Sequence, residues 1–134
     1  MRGLNVLLDS SFILSSVQLR LDALAMLEDS LDTKLEPLVL AETLRELKKI
    51  SSTGGKRGRE AEMALRIAEK YPAFSCTEKT ASVDEAIVQV AGTLRCIVAT
   101  NDVKLKRRLR SSGIAVAFVH RDKRVEVEGW AGLH

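Results

Sequence analysis

Aromatic residues make up only 4% of this 134-residue chain, which leaves little material for base stacking of the kind single-strand binding platforms use. Long hydrophobic runs are missing too: none approaches the roughly 20 residues that cross a bilayer. The N-terminal run Leu4-Asn5-Val6-Leu7-Leu8 is also shorter than the about 7–15 residues of a signal-peptide core. No membrane partner is expected, and cytoplasm is the default compartment. Cysteine is scarce. Cys76 and Cys96 sit at the edges of apolar runs with no CxxC spacing and no His partner, so they read as reduced, buried structural thiols. His120 and His134 lack ligand-spaced partners and read as solvated, while Trp130, just past a glycine, reads as a plug at the end of a sheet. There is no internal repeat and no low-complexity tail. What the chain does have is 46% hydrophobic residues, enough to build one core, so a single domain over residues 1–134 is expected.

Charge is unevenly spread. Residues 1–47 carry four Lys/Arg against eight Asp/Glu, a net of −4, and residues 48–134 carry seventeen against ten, a net of +7. The excess gathers in Lys104-Leu105-Lys106-Arg107-Arg108-Leu109-Arg110, in Lys56-Arg57-Gly58-Arg59 and in Arg121-Asp122-Lys123-Arg124. Such clusters solubilise helices, but three in one half favour a polyanionic partner.

Apolar spacing alternates between strand and helix. Residues 4–8, 35–40, 73–76, 96–99, 114–119 and 124–128 read as strands, the last two as an exposed-edge pair. Val17, Leu21, Leu24, Leu27 and Leu31 predict a helix over roughly 17–31; further helices are expected at 41–50, 57–70, 82–94 and from Asn101 or Asp102 to Ser112. Ser82-Val83-Asp84-Glu85 fits a capping box, and Gly113 is placed to end the last helix in the left-handed region. This cadence predicts an α/β fold, a three-layer α/β/α sandwich around a mostly parallel sheet.

Two of the strands stop on a carboxylate: the first at Asp9-Ser10-Ser11, and Ile97-Val98-Ala99 at Thr100-Asn101-Asp102. Strand C-termini form the ligand-binding edge of open α/β sheets, and carboxylates drawn together there must be solvated, paired or metal-bound. Asp84, in the first turn of its helix, is accounted for by the helix dipole alone. On the 41–50 helix, Glu46 lies roughly 105° and Glu42 roughly 145° from the centre of the apolar stripe. Glu46 therefore borders the buried face and is preferred, and Glu42 is expected to be solvated.

Asp-Ser-Ser after the first strand, Arg45-Glu46-Leu47 on a helix, Asp84-Glu85-Ala86-Ile87, and Thr100-Asn101-Asp102 with Leu105 together resemble the PIN-domain nucleases over nearly the whole chain. The stretch from Ala99 to Arg108 resembles the ribosomal-RNA-processing (Fcf/Nob-like) branch, as do the Ala61–Ala68 helix and the Val125-to-Trp130 strand. The resemblance implies catalytic acids at Asp9, Glu46, Asp84 and Asp102, with Asp9, Asp84 and Asp102 holding Mg²⁺ or Mn²⁺. It also implies supporting roles for Ser11, Thr100 and Asn101. In the chain's departures, Leu40 stands where a proline often precedes the second acid's helix, which keeps Glu42 open, and Glu85 follows Asp84 directly. RNA-backbone contacts are expected from Lys56, Arg57, Arg59, Lys104, Lys106, Arg107 and Arg108.

The function implied is a metal-dependent endoribonuclease acting on RNA, in ribosomal-RNA processing or RNA turnover. The alternatives are an RNA-binding module with little turnover and the toxin of a toxin–antitoxin pair. The implied partners are RNA, ribosome-assembly factors and a second copy of the chain, the last through the apolar 17–31 helix. A dehalogenase-type phosphatase fits less well, because Ser11 stands where its second acid belongs. A receiver domain fits less well because Asp9 stands alone at the start.

Overall fold

The computed structural model describes residues 3–76, 80 and 82–130. Strands β1 (Leu4–Leu8), β2 (Leu35–Leu40), β3 (Ala73–Phe74), β4 (Ile97–Ala99), β5 (Val116–Val119) and β6 (Val125–Glu128) form one sheet in the order β3-β2-β1-β4-β5-β6. Every pairing is parallel except β5 with β6. Helices α1 (Ser10–Leu19), α2 (Ala23–Leu31), α3 (Ala41–Ser51), α4 (Gly55–Ala68), α5 (Val83–Leu94) and α6 (Val103–Ser111) complete the chain.

Successive strand residues face opposite sides, so the sheet carries two cores. Val6, Leu8, Val39, Ile97 and Ala117 pack with Phe12, Ile13, Leu27, Leu47 and Ala64 of α1 to α4. Leu7, Leu40, Val98 and Val116 pack with Ile87, Val90, Leu105 and Leu109 of α5 and α6. The strands buried on both faces are the continuous apolar runs of the sequence, as expected for a covered parallel sheet. Pro37 lies within β2. The amide of Leu35 donates to Glu28 Oε2 and that of Val39 to the Pro72 carbonyl, so the missing N–H of Pro37 faces the same side, short of where β3 begins.

Three expectations need correction. The 17–31 helix is two helices, and α1 begins directly after Asp9. Arg20 turns left-handed at φ 56°, and Asp22 then caps α2 by accepting from the Ala25 amide at 3.2 Å. Ala23 and Leu27 of that span face the core, and Val17, Leu21, Leu24 and Leu31 are partly buried against it. Second, β5 is not an edge strand: it pairs with β4 as well as β6, and Val116, Ala117 and Val119 are buried. Third, β3 ends at Phe74 and α4 begins at Gly55. His134 lies outside the described residues. Gly113 ends α6 at φ 76° as expected, and Trp130 packs against the first core. Both cysteines are free, and burial raises the Cys96 thiol to about 11.

Candidate active site

The chain leaves β1 for β2 on one side and returns to β4 on the other, so the C-terminal ends of β1 and β4 form a topological switch point. The Asp9 amide donates to the Ala99 carbonyl at 2.9 Å and locks the two ends together. Asp9 holds the N-cap position of α1, yet its carboxylate does not cap that helix. Instead Oδ2 accepts from Ser11 Oγ at 2.6 Å and from Thr100 Oγ1 at 2.7 Å. Those two hydroxyls stand 3.1 Å apart, and each accepts a backbone amide, Asn101 N on Ser11 and Asp102 N on Thr100. The loop after β4 and the start of α1 thus hold one oxygen of Asp9 in place. Asp9 is only 4% exposed, where a carboxylate needs such partners.

Asp102 does cap its helix: Oδ1 accepts from the amides of Lys104 and Leu105 at 2.9 and 3.2 Å. Asn101 serves the scaffold, its side-chain amide donating to the Val119 carbonyl and accepting the Val119 amide. Ser82 accepts from the Glu85 amide at 3.1 Å, as the capping box requires. That cap starts α5 one residue before Asp84. Burial raises the Asp84 pKa most, and the charges of Asp9, Asp102 and Glu46 raise it further, with Arg108 opposing. Four acids from four segments therefore share one field. Among the described residues none of them forms an ion pair.

Helix geometry separates Glu46 from Glu42 for a reason the stripe alone does not contain. Glu46 accepts from Ser10 Oγ, beside Asp9. Glu42 is not solvated, a correction to the expectation: the segment after β3 covers it, and its Oε2 accepts the Cys76 amide at 3.3 Å. Its Oε1 is buried without a hydrogen-bond partner among the described residues and forms an ion pair with Arg45 at 3.5 Å. Ser10 is the residue sequence reasoning missed. Starting the helix at 17 hid the Ser10, Phe12, Ile13, Ser16 spacing that marks the buried face of α1.

Only oxygen donors surround the site, a set that suits hard divalent cations. Among the described residues no group of three acidic, His or Cys side chains is placed to hold a metal ion. The donor set fits a largely hydrated ion such as Mg²⁺, which uses one or two carboxylates and keeps several waters.

The basic residues do not form one patch. Exposed Lys56, Arg57 and Arg59 begin α4, in the layer with α1 and α3, whereas Lys104, Arg107 and Arg108 are exposed on α6, in the opposite layer. The Lys106 Nζ lies 4.1 Å from the Phe118 ring centroid and 3.3 Å from Glu128 Oε1. His120 is not simply solvated either, since Nε2 pairs with Glu126 Oε1 at 2.9 Å.

Residues 6–123 match the profile of the family described as "PIN like domain". Ribonuclease VapC9 of Archaeoglobus fulgidus is 37% identical over 92 residues, covering 68% of this chain and 66% of that protein. The human rRNA-processing protein FCF1 homolog is 31% identical over 119 residues, covering 86% of this chain; the match spans 57% of that relative's length. The solved PIN domain endonuclease Utp24 superposes with a TM-score of 0.78 at 32% identity, covering 97% of this chain and 95% of that one.

Proposed function

Because the chain belongs to the PIN-like domain family, we propose that it is a divalent-metal-dependent endoribonuclease hydrolysing RNA phosphodiester bonds, with ribosomal-RNA precursors as the substrate class. The carrying observation is the meeting of Asp9, Glu46, Asp84 and Asp102 at the switch point with, among the described residues, no cationic side chain paired to any of them. Repulsion among these acids leaves a standing demand for positive charge. Names of relatives support the RNA: one is a ribonuclease and another an rRNA-processing protein.

In this reading Asp9 and Asp102 bind Mg²⁺ or Mn²⁺ directly, and Asp84 ligates directly or through water. The bound ion supplies Lewis-acid stabilisation of the phosphodiester's developing negative charge and lowers the pKa of an attacking water. Ser11 and Thr100 hold the Asp9 carboxylate by donating to Oδ2, which fixes where its other oxygen points. Glu46, held by Ser10, orients the attacking water and accepts its proton. Lys56, Arg57, Arg59, Lys104, Arg107 and Arg108 contact phosphates and set affinity rather than sequence preference. Glu42 is the rival second acid, because its buried Oε1 has no hydrogen-bond partner among the described residues, though it pairs with Arg45.

Cleavage of single-stranded RNA in Mn²⁺ is expected to vanish in Asp9→Asn and in Asp102→Asn. Activity persisting in both variants overturns the assignment. Loss in Glu46→Gln but not in Glu42→Gln supports the second acid named here, and the reverse result transfers the role to Glu42. That no three such side chains among the described residues are placed to hold a metal ion favours one second reading, an RNA-binding module with little turnover. It predicts salt-sensitive RNA binding that survives the aspartate substitutions, with no metal-dependent cleavage by the wild type.

A further inference from the structure

A groove of about 760 Å³ runs from the loop after β4 toward the β5–β6 turn. Its near end is Thr100 and Asn101, so it opens beside the hydroxyl that holds Asp9. One wall is the outer half of α1, with Ser15, Gln18 and Leu19; the other combines Val103 and Phe118, and Arg121 stands at the far end. None of the basic residues that the family resemblance assigned to RNA makes this groove, apart from Lys106, whose ammonium is held by Phe118 and Glu128.

Two features call for a ligand with an apolar face and a negative charge. Val103, the first residue of α6, is 58% exposed. Nothing in the core requires a β-branched apolar side chain there, where a polar residue would suit the helix start. Arg121 is exposed and, among the described residues, has neither a hydrogen bond nor an ion pair. Its neighbours His120 and Arg124 are each paired with a carboxylate. The groove volume lies within the roughly 300–1,000 Å³ of small-ligand sites.

We propose that this groove seats the nucleotide adjoining the scissile bond of a single-stranded RNA. The base lies against Leu19 and Val103, and its outer phosphate meets Arg121. The inference rests on the ribonuclease reading for the direction in which the strand leaves the carboxylates. An aliphatic seat tolerates any base, because it offers apolar area without hydrogen-bond readout.

The test is binding of a labelled single-stranded RNA oligonucleotide to the whole chain in EDTA, across a range of salt concentrations. Arg121→Ala is expected to weaken binding about fivefold and to lower the salt slope by about 0.7, the share of one phosphate on a single strand. Val103→Asn is expected to weaken binding about threefold with the slope unchanged, because it removes apolar contact and no charge. Lys34→Ala, at the opposite edge of the sheet, controls for net charge and is expected to leave the slope unchanged. RNA binding by Arg121→Ala and Val103→Asn that matches the wild type overturns the seat, and directs the groove to a protein partner instead. A wild type that shows these binding responses but never cleaves in Mn²⁺ keeps the seat and overturns the nuclease reading. Cleavage with both groove variants silent overturns the seat alone.

Discussion

Asp84 stands in the first turn of α5, where the helix dipole favours an ionised carboxylate. Burial and the charges of Asp9, Asp102 and Glu46 nonetheless hold its pKa above the ordinary range. For an acid raised in the folded state, the native protein binds more protons than the unfolded chain between the two pKa values. Stability therefore falls as pH rises through that window and stays lowered above it. Asp84→Asn is expected to raise Tm in metal-free buffer at pH 7, with the gap to wild type closing as pH falls toward about 4. A Tm difference independent of pH counts against the shared field. Thr43 poses a simpler case: it is fully buried on α3 and its hydroxyl has no hydrogen-bond partner among the described residues. Thr43→Val replaces that hydroxyl by a methyl of similar volume. Urea denaturation is expected to show a gain of about 1 kcal/mol. At this scale the sequence revealed the kinds of residue at the site and helix geometry favoured Glu46. It did not reveal that Glu42 is covered, because the cover is the Cys76 segment, distant along the chain.

Among the elements, α4 shows how packing follows from composition. Gly58, Ala61, Ala64 and Ala68 form its buried stripe, and a Cβ at Gly58 would stand 3.0 Å from the Ser51 carbonyl of α3. Small side chains bring α4 close to its neighbours. This closeness steadies α3, which carries Glu46. Ala64→Leu is expected to cost about 1–3 kcal/mol by overpacking, measurable as a lower urea midpoint with an unchanged m-value. The strands and most helices were legible because buried parallel strands are continuous apolar runs and the helices keep their period. The break between α1 and α2 was not, since Arg20 rather than glycine takes the left-handed position. The interior place of β5 was hidden for another reason. Alternation reports which faces are covered, but it does not reveal how many neighbours a strand pairs with.

At the scale of the molecule, four acids from four segments meet because β1 and β4 are neighbours at the switch point. A cation that binds there only in the folded state stabilises the whole domain. At 100 times its Kd the gain is about 2.7 kcal/mol. Mn²⁺ or Mg²⁺ is therefore expected to raise Tm in the wild type, and to do so less in Asp9→Asn; an equal rise in both places the ion elsewhere. Thermal melts with and without EDTA decide it. By itself the sequence determined the layered α/β architecture and two carboxylates at strand ends, because burial periodicity and helix caps are local properties of the chain. Tertiary structure alone decided the sheet order, the choice of Ser10 to hold Glu46, and the shared field around Asp84. Each of these depends on which distant segments become neighbours, and no local pattern carries that.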